Sequence, residues 1–376
     1  MPRPPRPLTD WRSALPFWMT LVNVPLAVLG TLWGGLWLLA LPAYGLVLVS
    51  ILDRIAGLNE DNADPTTAEA DLFWYRAITT VWVPVQFVLL FWIIGTVAAQ
   101  RHLGWAELVV LLYGVGIMTG AAGIVYAHEL MHQRNRTERW LADILLSMVL
   151  YSHFRSEHLL VHHIHVGTPK DAVTACYNES FFRYFPRVLV QCPGSAWRAE
   201  VALLDRRGAG AFDRRNPFWR YAALQAGMLA MAGIVGGWYG IGLFLAQAFF
   251  AIWMLELTNY IEHYGLTRKY LGNGKFEHVK PHHSWNAAHR VSNWFLINLQ
   301  RHSDHHYKPD RRFPLLQHHA EDQAPQLPYG YPLMTALAMV PPVWRRMMNP
   351  RVRTWRRAHY PEITDWAPYK RGTHSG

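Results

Sequence analysis

Six stretches of the chain carry no charged residue over lengths near the ~20 residues that a bilayer core requires. They cover residues 17–34, 36–52, 78–98, 108–126, 221–236 and 238–255. This pattern predicts an all-α membrane protein with six transmembrane helices. The first two stretches are parted only around Gly34-Gly35 and the last two only at Gly236-Gly237, so each pair reads as a tight helical hairpin. The proline-rich start, Met1 to Pro7, runs into this apolar region with no small-residue cleavage site before the second helix, so a removed signal peptide is not expected. No internal repeat, low-complexity tract or linker divides the chain, and residues 1–376 are expected to form a single domain.

The polar positions set the orientation. Arg3, Arg6 and Arg12 precede the first helix and place the N-terminus in the cytoplasm. Six crossings then leave residues 53–77, 127–220 and 256–376 on the same side, with both termini cytoplasmic. Of the 36 Lys and Arg residues, only Arg101 falls in an outer loop. The net charge of +10 is accounted for by this bias and by contact with membrane lipid, and no nucleic-acid partner is expected. A charged fraction of 16%, against about 25% in soluble domains, excludes an ordinary cytosolic enzyme and equally a disordered chain. The two cysteines, Cys176 and Cys192, exclude a disulfide framework, a Cys-ligated zinc module and a one-iron or iron–sulfur centre held by thiolates.

Histidine is the chemistry-bearing residue. All 20 but His102 fall on the cytoplasmic side, and they cluster. His128-Glu-Leu-Met-His132 ends the fourth helix, His158-Leu-Leu-Val-His162-His163 follows, His263 ends the sixth helix, and His302-Ser-Asp-His305-His306 lies near residue 300. Residues four apart share a helix face, so His128/His132, His158/His162 and His302/His306 each aim two imidazoles at one point. His305 lies alongside the last pair, and His163 is set slightly around the helix. Imidazole is a neutral nitrogen donor for iron, copper, nickel or zinc, and nine of them exceed what one ion can use. Two metals are the economical expectation. Four neighbouring carboxylates, Glu129, Glu157, Glu262 and Asp304, are candidates for orienting the imidazoles through their second N–H.

His-Glu-Leu-Met-His also fits the zinc-peptidase pattern with Glu129 as general base, but that chemistry leaves the other two clusters idle. A metal transporter would use His and carboxylates near mid-membrane, whereas these clusters lie at the cytoplasmic helix ends.

The motifs resemble those of the bacterial integral-membrane alkane 1-monooxygenases, within the membrane fatty acid desaturase and hydroxylase superfamily. The likeness rests on His128-Glu-Leu-Met-His132, on Tyr151-Ser-His-Phe-Arg-Ser-Glu-His158-Leu-Leu-Val-His162-His163, and on Asn259-Tyr-Ile-Glu-His263-Tyr-Gly-Leu266. Pro281-His-His-Ser-Trp-Asn286 and Leu299-Gln-Arg-His302-Ser-Asp-His305-His306 extend it. Lesser echoes at Asp53, Gly57 and Asn62, at Asn178-Glu-Ser180 and at Tyr329-Gly-Tyr-Pro332 carry it from about residue 45 to 350. The resemblance implies that His128, His132, His158, His162, His163, His263, His302, His305 and His306 hold two non-heme irons. It implies hydroxylation of a terminal methyl group to a primary alcohol with O2 as co-substrate, in the bacterial inner membrane. Electrons would come from rubredoxin and, upstream, an NADH-dependent rubredoxin reductase. Gln133 replaces the basic residue usual after the first box, and Lys170-Asp171-Ala172-Val173-Thr174 stands where Asp-Pro-Ala-Ser/Thr is usual. Neither change removes a ligand; both bear on the substrate. Aromatic methyl groups and fatty-acid termini are the alternative substrates, and desaturation is the alternative reaction.

An unactivated C–H bond gives acid–base machinery nothing to hold, so the substrate needs an apolar cavity from which water is excluded. Tyr44, a phenol near mid-membrane in the second helix, is the candidate floor of that cavity, because a hydroxyl at that depth is costly without a partner. The arginines at 345, 346, 351, 353, 356 and 357 make a basic cytoplasmic face that would steer an acidic electron carrier.

Overall fold

The computed structural model describes residues 7–366 and Tyr369, so Arg3 and Arg6 lie outside the described residues. Among the described residues, five helical segments are long and apolar enough to cross a membrane: α1 (Trp11–Trp33), α2 (Gly35–Ala56), α3 (Glu69–Gln100), α4 (Trp105–Met131) and α8 (Phe218–His263). Between and after them lie α5 (Arg136–Ser147), α6 (residues 154–165), α7 (Phe181–Asp205), α9 (Arg290–Phe295), α10 (His302–Tyr307), α11 (Tyr331–Ala338) and α12 (Pro341–His359). One short antiparallel pair, β1 (Tyr270–Gly272) with β2 (Lys275–Phe276), is the sheet among the described residues.

The 46-residue α8 is a helical hairpin. Gly237 takes φ 60° and ψ −153°, a region essentially restricted to glycine. A Cβ placed on Gly240 would come 2.5 Å from the carbonyl oxygen of Ala232, although eight residues of continuous helix would separate the two by about 12 Å. Gly34 takes the same conformation, φ 62° and ψ −153°, and there a Cβ on Gly30 would come 3.2 Å from the oxygen of Trp37. Both hairpins expected from the glycine pairs are therefore present. The helices run further than the charge-free stretches: α3 begins at Glu69 rather than residue 78, α4 continues through His128, and α8 continues to His263. Charged residues end an apolar run without ending a helix whose polar end is buried in the cap.

Packing in the bundle is close where side chains are small. Gly116 of α4 faces Phe250 of α8 with no room for a Cβ, and Gly120, one turn on, lies tight against Ala251 and Met254, the small-residue contact by which membrane helices approach each other. Polar side chains bind the interior. Gln247 donates to the carbonyl of Met148 at 2.8 Å and accepts from Thr119 at 3.1 Å, which anchors the segment between α5 and α6 inside the bundle.

The cap is tied to the helix ends by buried ionic groups. Asp53, at the polar end of α2, accepts from the backbone N–H groups of Val291 and Ser292, both at 2.8 Å, at the start of α9. The Arg301 guanidinium donates to the carbonyls of Asp61 and Leu316 and to Asn62 Oδ1. Arg312 bridges Glu138 and Glu69. The acidic loop between α2 and α3 is thereby held against the segment that carries α10.

Candidate metal centre

Four elements deliver nine imidazoles to one place. His128 and His132 lie one turn apart at the polar end of α4, and His263 is the last residue of α8. His302, His305 and His306 share the short helix α10. The remaining three depend on an irregularity. Residues His158–His162 form a π-helical turn, in which the His163 N–H bonds to the carbonyl of His158, five residues back. The wider turn puts residues four and five apart on either side of one face, so His162 and His163 both point the way His158 does. An α-helical pitch would have turned His163 aside. Further π turns occur at Ala43–Leu48 and Thr119–Ile124, and residues of both line the cavity described below.

The imidazoles form two groups. In each of the sets His128, His132, His158, His305 and His162, His263, His302, His306, the ligand nitrogens lie within 4.8 Å of one another. His163 completes the first set, with Nε2 2.9 Å from His158 Nε2 and 3.1 Å from His305 Nε2. Further Nε2–Nε2 separations within the sets are 3.0 Å for His128/His158 and 3.1 Å for both His263/His302 and His302/His306. Two nitrogens at right angles around an ion ~2.1 Å away lie about 3.0 Å apart, so the spacing is that of ligands around a metal. A hydrogen-bonded cluster fits less well, because neutral imidazoles crowded Nε2 to Nε2 cannot all find acceptors. His132 Nε2 is buried with no hydrogen-bond partner. Burial, reinforced by the surrounding imidazoles, holds His158, His163, His302, His305 and His306 well below the ordinary imidazole pKa. They are thus neutral and carry the lone pair that a metal needs.

On the far side of the rings a carboxylate holds His162, though not one of those expected. Asp171 Oδ2 accepts from His162 Nδ1 at 3.0 Å and from the Thr174 hydroxyl at 2.6 Å. Glu262 Oε1 lies 3.4 Å from His302 Nδ1. Glu129 instead accepts from Gln133 at 3.0 Å. Asp304 faces away, toward Arg311 at 2.5 Å and the Gln317 N–H at 3.0 Å. Glu157 is buried beside the centre, with neither oxygen hydrogen-bonded. Of the four carboxylates expected around the imidazoles, only Glu262 meets a ring nitrogen of the nine, and Asp171 was missed.

A third histidine group, Glu277, His282 and His283, has a different character. His283 Nδ1 accepts from the Lys280 N–H at 2.9 Å, so its Nε2 carries the proton and donates to the Tyr360 hydroxyl at 2.6 Å. That hydroxyl donates in turn to Glu277. The group is a satisfied hydrogen-bond chain fastening the end of α12 to the cap.

From the metal centre a cavity of about 680 Å³, including its open part, runs into the helix bundle. At one end it meets His128, His158 and His302, with Asn259 and Glu262 beside them; at the other it is walled by Gly45, Leu46, Ile117 and Phe295. Ile117 and His128 are eleven residues apart on one helix, about 16 Å along its axis. Tyr44 stands behind this wall. Its hydroxyl donates to the Met19 carbonyl at 2.7 Å, which supplies the partner a phenol needs there, and its ring meets Phe295 edge-on at 5.7 Å.

The sequence model of the fatty acid desaturase family matches residues 103–338, a span containing all nine histidines. An alkane 1-monooxygenase 2 of Pseudomonas aeruginosa is 36% identical over 332 residues, 88% of this chain and 87% of that protein. The chain belongs to the alkane 1-monooxygenase family. A second alkane 1-monooxygenase 2, from Alcanivorax borkumensis, is 38% identical over 82% of this chain and 81% of its own length. The hydroxylase component of a xylene/toluene monooxygenase from Pseudomonas putida is 27% identical over 63% of each chain. As a member of the alkane 1-monooxygenase family, and with five apolar helices of spanning length, this is a multi-pass membrane enzyme. The two departures noted in the sequence leave the imidazoles in place. Gln133 bonds within its own turn of α4, and Lys170 reaches outward to the Gly274 carbonyl at 3.3 Å.

Proposed function

We propose that this protein hydroxylates the terminal methyl group of alkanes to primary alcohols, using O2 and two electrons delivered by rubredoxin from an NADH-dependent reductase. One oxygen atom enters the C–H bond, and the other leaves as water with two protons. The observation that carries this reading is the cavity: apolar along its length, it ends on the rings of His128, His158 and His302. A chain with no polar handle can be positioned there only by shape, with one terminus against the metal centre.

We read the nine histidines as the ligands of two non-heme irons, five on one and four on the other. When bound, the irons supply the oxidant that an unactivated C–H bond requires. The protein's part is to hold neutral imidazoles, to fix the His162 tautomer through Asp171, and to keep bulk water from the bound chain. Six membrane crossings, with the cap and both termini in the cytoplasm of a bacterial inner membrane, agree with the bias of Lys and Arg and with the α8 hairpin. The xylene/toluene relative supports aromatic methyl groups as a second substrate class.

The test is iron per chain by elemental analysis, together with product analysis after supplying octane, p-xylene and a fatty acid with rubredoxin, its reductase and NADH. Two irons and 1-octanol are expected. Oxidation of p-xylene alone would move the assignment to aromatic methyl groups.

A further inference from the structure

Hydroxylation draws its electrons from outside the chain, and burial restricts where they can enter. Seven of the nine histidines are buried, and His132 and His163 are the two that keep a larger part of their surface exposed. Their rings lie 4.8 Å apart. His163 also links the two groups, for it touches His158 and His305 through Nε2 and lies ring to ring with His306 at 4.7 Å. A carrier brought to His163 is therefore brought to both.

The surface there has the composition of a docking site. Ile164, next to His163, is 56% exposed, and Tyr307, next to His306, is 59% exposed. Lys308 lies over the Tyr307 ring at 5.6 Å. The Arg134 side chain, two residues beyond His132, is 92% exposed and pairs at 3.1 Å with Asp310, itself half-exposed. The arginine-rich helix α12 is a poorer entrance. It packs through Trp344 onto Tyr264, and the nearest histidine of the centre, His263, is wholly buried behind that layer. Arg356, moreover, is taken up over the rings of Tyr177 and Trp366.

We propose that the patch formed by Ile164 and Tyr307, flanked by Arg134 and Lys308, is where a small acidic one-electron carrier docks. The inference rests on the hydroxylase reading. Two exposed apolar side chains provide a contact that excludes water, and the flanking cations supply the complementary charge that steers encounter. The carrier delivers one electron per visit, and two visits supply one turnover.

The experiment is anaerobic stopped-flow reduction of the full-length, iron-loaded protein in nanodiscs by reduced rubredoxin and, separately, by dithionite. In the double variant Arg134→Glu/Lys308→Glu, the bimolecular rate with rubredoxin at low salt is expected to fall by about 10-fold or more, within the range of electrostatic steering. Iron content and reduction by dithionite should match the wild type. Arg353→Glu/Arg357→Glu, on α12, should leave the rubredoxin rate within a factor of about two of wild type. A large loss confined to the α12 variant, or wild-type rates in both, would overturn the proposal. Failure of the hydroxylase reading shows separately, as wild-type protein that dithionite reduces and rubredoxin does not, and that result overturns the docking surface as well.

Discussion

The Nδ1–H of His162 donates to Asp171 Oδ2 at 3.0 Å, with both side chains sealed from solvent. The bond fixes the tautomer, so the Nε2 lone pair faces His263, His302 and His306. Partners of this kind are worth about 10–100-fold in metal affinity. Asp171→Asn is expected to lower iron retention by that factor, measured as iron per chain after dialysis against a chelator. Thr174→Val, which removes only a hydroxyl bonded to the same carboxylate, should cost less.

His162→Ala and His305→Ala each remove a donor from one group. Both variants should insert into the membrane at wild-type levels, lose iron and show no hydroxylation of octane. His165, half-buried and in neither group, should tolerate the same change with iron and activity near wild type. Elemental analysis on purified protein decides this, and a His305→Ala protein with both irons and full activity would sink the ligand assignment.

The end of the cavity distant from the metal centre should set chain length. Phe295 is part of the wall, and Tyr44 supports it from behind. Phe295→Ala should shift the preferred alkane to longer chains, and Tyr44→Ala should do so by a smaller step, both with iron intact. Product profiles across a series from hexane to hexadecane test the order. An unchanged profile in both variants would make these two aromatics packing residues.

Arg312 is 7% exposed and joins Glu138 at 2.8 Å, with Glu69 on its other side. Removing one partner from such a buried network costs about 3–5 kcal/mol, because the remaining charges are stranded. Arg312→Met should lower the thermal unfolding midpoint in detergent markedly. Arg134→Met, at an exposed pair with Asp310, should shift it by little, since exposed pairs contribute about 0–1 kcal/mol.

Much of this architecture is legible in the sequence because it rests on short-range rules. Charge-free stretches mark the helices, Gly34 and Gly237 mark the hairpins, and i,i+4 spacing marks three histidine pairs. What the sequence hid depends on distant partners. Glu129 and Asp304 sit among the histidines yet are taken up elsewhere, Asp304 by Arg311 and Gln317 and Glu129 by Gln133 within its own turn. Asp171 stood out in the sequence only as part of an atypical motif, and its role is set by a loop that returns it to His162. The partner of the Tyr44 hydroxyl is a backbone carbonyl on α1, which no side-chain pattern announces.

The π turn at His158–His162 makes ligand placement a matter of helical phase rather than of residue count. Such a turn accommodates one more residue than the α-helical turn it replaces. Deleting Leu159, which bears no donor, would leave His162 and His163 three and four residues after His158, and at a regular α-helical pitch those positions flank the same face. Deleting Ser303 from α10 would instead set His305 two residues after His302 and turn it aside. A one-residue gap inside residues 158–162 is thus compatible with a complete centre, whereas the same gap inside residues 302–305 is not.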